Sequence, residues 1–70
     1  MNKQKRKDIL RILKSGHSLT NISSSIGIIL EQPEEDILRI IQNLRWNQKH
    51  ILTALEYFPQ AKTEYNLNNE

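Results

Sequence analysis

Arg39, Gln42, Asn43, Trp46, Lys49 and His50 follow one another at intervals of three and one, which gathers them on one face if the segment is helical. The chemistry open to such a face is recognition. A guanidinium can read guanine edges, side-chain amides can read adenine edges, and an ammonium reaches phosphate. A protein partner could use the same face, because Trp and Arg are enriched in interface hot spots and an exposed Trp46 is costly without a purpose. The alternative is that Trp46 packs against the first helix or under the tail. Six more cations, Lys3, Lys5, Arg6, Lys7, Arg11 and Lys14, stand in the first 17 residues against Asp8 alone. They suit phosphate contact, and the plainer alternative is a solvated face that keeps a small chain in solution.

Bond-making chemistry lacks its usual groups. His17 and His50 are far apart in sequence, there is no cysteine, and Gly16 and Gly27 are too few for a phosphate-cradling loop. Glu31, Glu34, Glu35 and Asp36 lack the spacing of an oxygen-rich metal loop and read as charges at a helix start. No enzyme activity, cofactor, metal or small-molecule substrate is expected. Without cysteines, disulfides and thiolate zinc sites are excluded, which fits a reducing cytoplasm. The basic start is not a signal peptide, because Arg11 and Lys14 interrupt the apolar positions after it. No apolar run approaches the ~20 residues that cross a bilayer, so a soluble, cytoplasmic protein with no membrane contact is expected.

The elements that must position these groups read as helices. Ile9, Leu10, Ile12 and Leu13 share one side of a helix from about Lys5 to Ser15, ended by Gly16, with Lys7, Arg11 and Lys14 opposite. Ser18 can cap a second helix carrying Leu19, Ile22 and Ile26, and Gly27 can supply the left-handed residue that ends it. Pro33 then restarts a helix, with Glu34, Glu35 and Asp36 at the positive end of its dipole. Beyond it Ile37, Ile41, Leu44, Gln48, Ile51, Leu55 and Phe58 step by four and three, forming one stripe on a continuous helix from Pro33 to about Phe58.

Such a helix would be some 39 Å long, more than two short helices can cover. Either it breaks near Asn47, which could cap a fourth helix, or its second half covers another copy, with Ile51, Leu55 and Phe58 in a homodimer seam. A break with self-association retained is the favoured expectation. A β-hairpin of Ile51–Tyr57 and Thr63–Leu67 around Pro59-Gln60 is the less favoured one. Residues 1–60 therefore read as one helical domain with a basic arm, and 61–70 as a polar, frayed tail. The net charge is only +2. Its uneven spread, a basic end beside the acidic block 31–36, suggests an oriented contact with a polyanion.

The run Ile22, Ser23, Ile26, Gly27 and Ile28 resembles that of helix-turn-helix transcriptional regulators. That family places apolar, small, apolar, glycine and apolar residues in this order, with Ser23 here in place of the usual alanine. The resemblance spans about residues 8–45. Its next apolar anchors should fall six and nine residues after the glycine, where this chain has Pro33 and Asp36. Moving the register by four restores them as Ile37 and Ile40, so Ile29-Leu30-Glu31-Gln32 would form an added helical turn or a longer corner. The resemblance implies an all-α domain of three or four helices that binds duplex DNA as a regulator, with phosphate contacts from the first helix and arm. The alternative is a protein-binding module, an inhibitor or adaptor, that uses Trp46 and the acidic block.

Overall fold

The computed structural model describes residues 1–58. They form four α-helices: α1 (Lys3–Leu13), α2 (Leu19–Leu30), α3 (Glu34–Asn43) and α4 (Gln48–Tyr57). Three side chains start them. The Asn2 side chain accepts a hydrogen bond from Lys5 N–H at 2.8 Å, Ser18 from Asn21 N–H at 3.2 Å, and Asn47 from His50 N–H at 3.2 Å. Each satisfies an N–H that has no partner within its own helix. Because Asn2 caps α1, that helix begins two residues before the expected Lys5. No strand occurs among the described residues, and Ile51–Tyr57 are helical, so the hairpin expectation is corrected for that segment. Its second half, Pro59 and the tail 61–70 lie outside the described residues.

Gly27 does not end α2, contrary to expectation. The helix runs on through Ile28, Ile29 and Leu30, and Glu31 takes the left-handed conformation instead, at φ 58°. Gln32 N–H donates to Gly27 O at 2.9 Å and Glu31 N–H to Ile28 O at 3.3 Å, the pair of bonds of a Schellman cap. The added turn expected for residues 29–32 is thus an extension of α2 closed by this cap. Residues 31–33 alone form the corner, with Pro33 just ahead of the first helical residue of α3. Glycine at position 27 answers a different need, since a Cβ there would stand 2.8 Å from Gln32 O and 3.6 Å from Glu34 Cα. The small residue of the motif, Ser23, is fully buried, and its hydroxyl has no hydrogen-bond partner among the described residues.

Those distances give Gly27→Ala an unusual sign. In an ordinary helix interior this change gains about 1 kcal/mol. Here backbone stands in the way, and overpacking costs about 1–3 kcal/mol, so the urea midpoint should fall. A midpoint that rises would show that α2 and the corner are less closely apposed.

The expected break near Asn47 is present. α3 stops at Asn43, and a second Schellman cap follows: Trp46 N–H donates to Ile41 O at 3.3 Å and Arg45 N–H to Gln42 O at 3.1 Å. Arg45 and Trp46 are both left-handed, at φ 53° and 68°, a conformation that costs a non-glycine residue roughly 1–2 kcal/mol. The turn sends α4 back along α1. Gln48 Nε2 donates to Leu13 O at 3.2 Å near the end of α1, while Arg6 near its start ion-pairs with Glu56 near the end of α4. The two helices therefore run antiparallel.

Between the helices lie Ile9, Leu13, Ile22, Ile26, Ile37, Ile41, Ile51 and Leu55, each 2 % exposed or less. Ile51, Leu55 and Phe58, expected in a seam between copies, are 0 %, 0 % and 2 % exposed within the single chain. That assignment is corrected. Because the helix breaks, the stripe need not reach beyond the domain, and its second half folds onto α1 and α3.

Candidate nucleic-acid interface

At 100° per residue, Lys3, Lys7, Arg11 and Lys14 occupy a sector of about 80° on α1, turned away from the buried Ile9 and Leu13. All four are exposed; Lys5 is exposed too, but it lies toward the side of Ile9 and Ile12, 120° or more around the helix from each of those four. Arg11 is held over Asp8, its Nη2 3.3 Å from Oδ1. Among the described residues, Lys3, Lys5, Lys7 and Lys14 have no ion pair. Arg6 departs from its expected role. Its guanidinium is only partly exposed and joins α1 to α4 through Glu56, so it belongs to the packing of the domain. An exposed pair of this kind contributes up to about 1 kcal/mol.

α3 buries Ile37, Ile40 and Ile41 on one side. Glu35, Arg39 and Gln42 project from the other, with Asn43 on its edge, and all four are exposed. Lys49 and His50 are also exposed, but they stand on α4, past the corner. The single face expected to run from Arg39 to His50 is thereby divided in two. Its first part carries Arg39, Gln42 and Asn43, and its second Lys49 and His50.

Trp46 sits at the division, 42 % exposed. It walls a shallow, almost wholly apolar groove of about 230 Å³ with Leu19, Ile41, Gln42 and Arg45. The sequence did not place Arg45 or Leu19 beside Trp46, because only the left-handed corner brings them together. Among the described residues no acidic residue lines this groove. Glu34, Glu35 and Asp36 occupy the first turn of α3, at its far end from Trp46. The combined surface of Trp46 and the acidic block is therefore not formed as one patch.

A second shallow groove, at the α2–α3 corner, is lined by Ser24, Gly27, Ile28, Glu31, Gln32, Pro33 and Glu34. Ile28, an anchor of the motif in sequence, is 75 % exposed there. Among the described residues no cluster of three or more histidine, aspartate or glutamate side chains could hold a metal ion. Among them, too, no helix is long and apolar enough to cross a membrane.

The chain is a small all-α domain whose second and third helices meet at a three-residue corner, residues 31–33. Compared with protein-family models, with characterised proteins and with solved structures, it matches none.

Proposed function

We propose that this chain binds duplex DNA as a small regulator of helix-turn-helix type. The observation that carries the reading is the outward face of α3. Arg39, Gln42 and Asn43 are exposed on the second helix of a pair with a three-residue corner, the unit that places a helix in a major groove. Exposed Lys3, Lys7, Arg11 and Lys14, along one side of α1, supply phosphate contacts that hold the domain in register without reading sequence. Lys49, exposed in the first turn of α4, adds one more cation beyond the corner.

The acidic start of α3 limits how the domain can dock. Glu34, Glu35 and Asp36 repel phosphate, so the approach is through the C-terminal half of α3, with its start held away from the backbone. The protein-binding alternative retains the Trp46 groove but loses the acidic block as part of the same contact.

Duplex binding followed by anisotropy across a salt series tests the proposal. Affinity should fall steeply with ionic strength, and Lys7→Ala should lower the log-log slope by about 0.9 if one phosphate contact is lost. Glu35→Gln should tighten binding to all sequences. Absence of binding at low salt, or affinity indifferent to salt, removes the DNA reading.

A further inference from the structure

Two exposed apolar features stand at opposite ends of the α2–α3 pair, and their charged surroundings have opposite sign. Ile28, 75 % exposed, is a knob flanked by Glu31 and Glu34, which line the same shallow groove. The second feature is the groove of about 230 Å³ between Leu19, Ile41 and Trp46, which Arg45 also lines. Leu19 and Ile28 lie on the same helix, nine residues apart, so at 100° per residue they point in opposite directions, roughly 13.5 Å apart along the axis. One copy's knob cannot reach its own groove.

We infer that the groove receives Ile28 of a second copy of this chain, with Arg45 of the first copy against Glu31 and Glu34 of the second. The fit rests on shape and charge together. The groove walls are apolar, its volume accommodates a branched aliphatic side chain, and the carboxylates beside Ile28 arrive next to the arginine. Trp and Arg are also the residue types most able to anchor such a contact. Because knob and groove face opposite ways, the contact is head to tail, and each added copy presents a new knob and a new groove. Copies then assemble into a row or ring of no fixed two-fold symmetry. With one side chain as anchor the association is weak, and it becomes visible at high concentration or when copies are held side by side.

Sedimentation equilibrium without nucleic acid tests this independently of the DNA proposal. The wild-type average mass should rise with concentration and pass that of a dimer. Ile28→Glu removes the knob. Trp46→Gly removes the groove wall while suiting the left-handed backbone at that position. Each variant alone should stay monomeric, and an equimolar mixture should stop at twice the monomer mass, because it retains one working knob and one working groove. Circular dichroism checks that both variants fold, and Arg45→Glu replaces Trp46→Gly if the latter does not. A wild type that is monomeric at millimolar concentration overturns the proposal and leaves the groove to a different partner. Folded variants that still associate as wild type does, or whose mixture stays monomeric, overturn it equally.

Discussion

Leu55→Glu is expected to unfold the chain outright. Leu55, on α4, is fully buried within the cluster of apolar side chains that forms the core. An ionised carboxylate left unpaired in such surroundings costs several kcal/mol even after relaxation, and protonating it to avoid that cost still leaves a polar group without partners. A core of this size supplies roughly 3–5 kcal/mol in total, so little folded protein should remain. Far-ultraviolet circular dichroism should show lost helix at every concentration. A variant that keeps wild-type helicity as a monomer would place Leu55 at the surface in solution and restore the seam between copies.

The second large effect is a contrast within one turn of α2. Ile26 is 0 % exposed and Ile28 is 75 % exposed, although both belong to the same apolar run. Ile26→Ala should cost about 2–5 kcal/mol, from lost transfer energy and the cavity left behind. Ile28→Ala should stay within about 0.5 kcal/mol. Chemical denaturation of both variants reads the difference directly. Comparable losses would mean that α2 is rotated from the orientation described.

The helices were legible where a local rule decides them. Ser18 and Asn47 announced their caps, because a short polar side chain ahead of an apolar period has one obvious use there. The four-and-three stripe identified Ile37, Ile41, Ile51, Leu55 and Phe58 as buried positions, but it could not say whether the same chain or another copy covers them. The break in the helix decides that, and it is made by Arg45 and Trp46, whose left-handed backbone has no signature in residue type. Gly27 misled for the converse reason. A glycine after an apolar run suggests a helix end, yet this one is needed for the approach of Gln32, while Glu31 makes the end.

The candidate site was legible in composition more than in arrangement. The cations of α1 and the polar face of α3 could be read from spacing, since each lies within one helix. Arg6 was misplaced because its partner, Glu56, is 50 residues away. Separating Lys49 from Arg39, and bringing Leu19 to Trp46, likewise required the tertiary path of the chain.

The antiparallel packing of α1 on α4 makes these helices a clasp. It is the contact that joins the first described helix to the last, whereas α2 and α3 are neighbours through a corner of three residues, 31–33. Closing a long loop costs entropy that a short corner does not, so the clasp is the dearer half of the fold to form. It is also the half that carries exposed Lys3, Lys7 and Lys14 on its outer side. A polyanion that grips α1 only when it is docked on α4 draws the population toward the closed domain, by RT ln(1 + [L]/Kd). Under the proposed polyanion contact, occupancy of that face and integrity of the fold would be one linked equilibrium, with ligand concentration setting how firmly the clasp is shut.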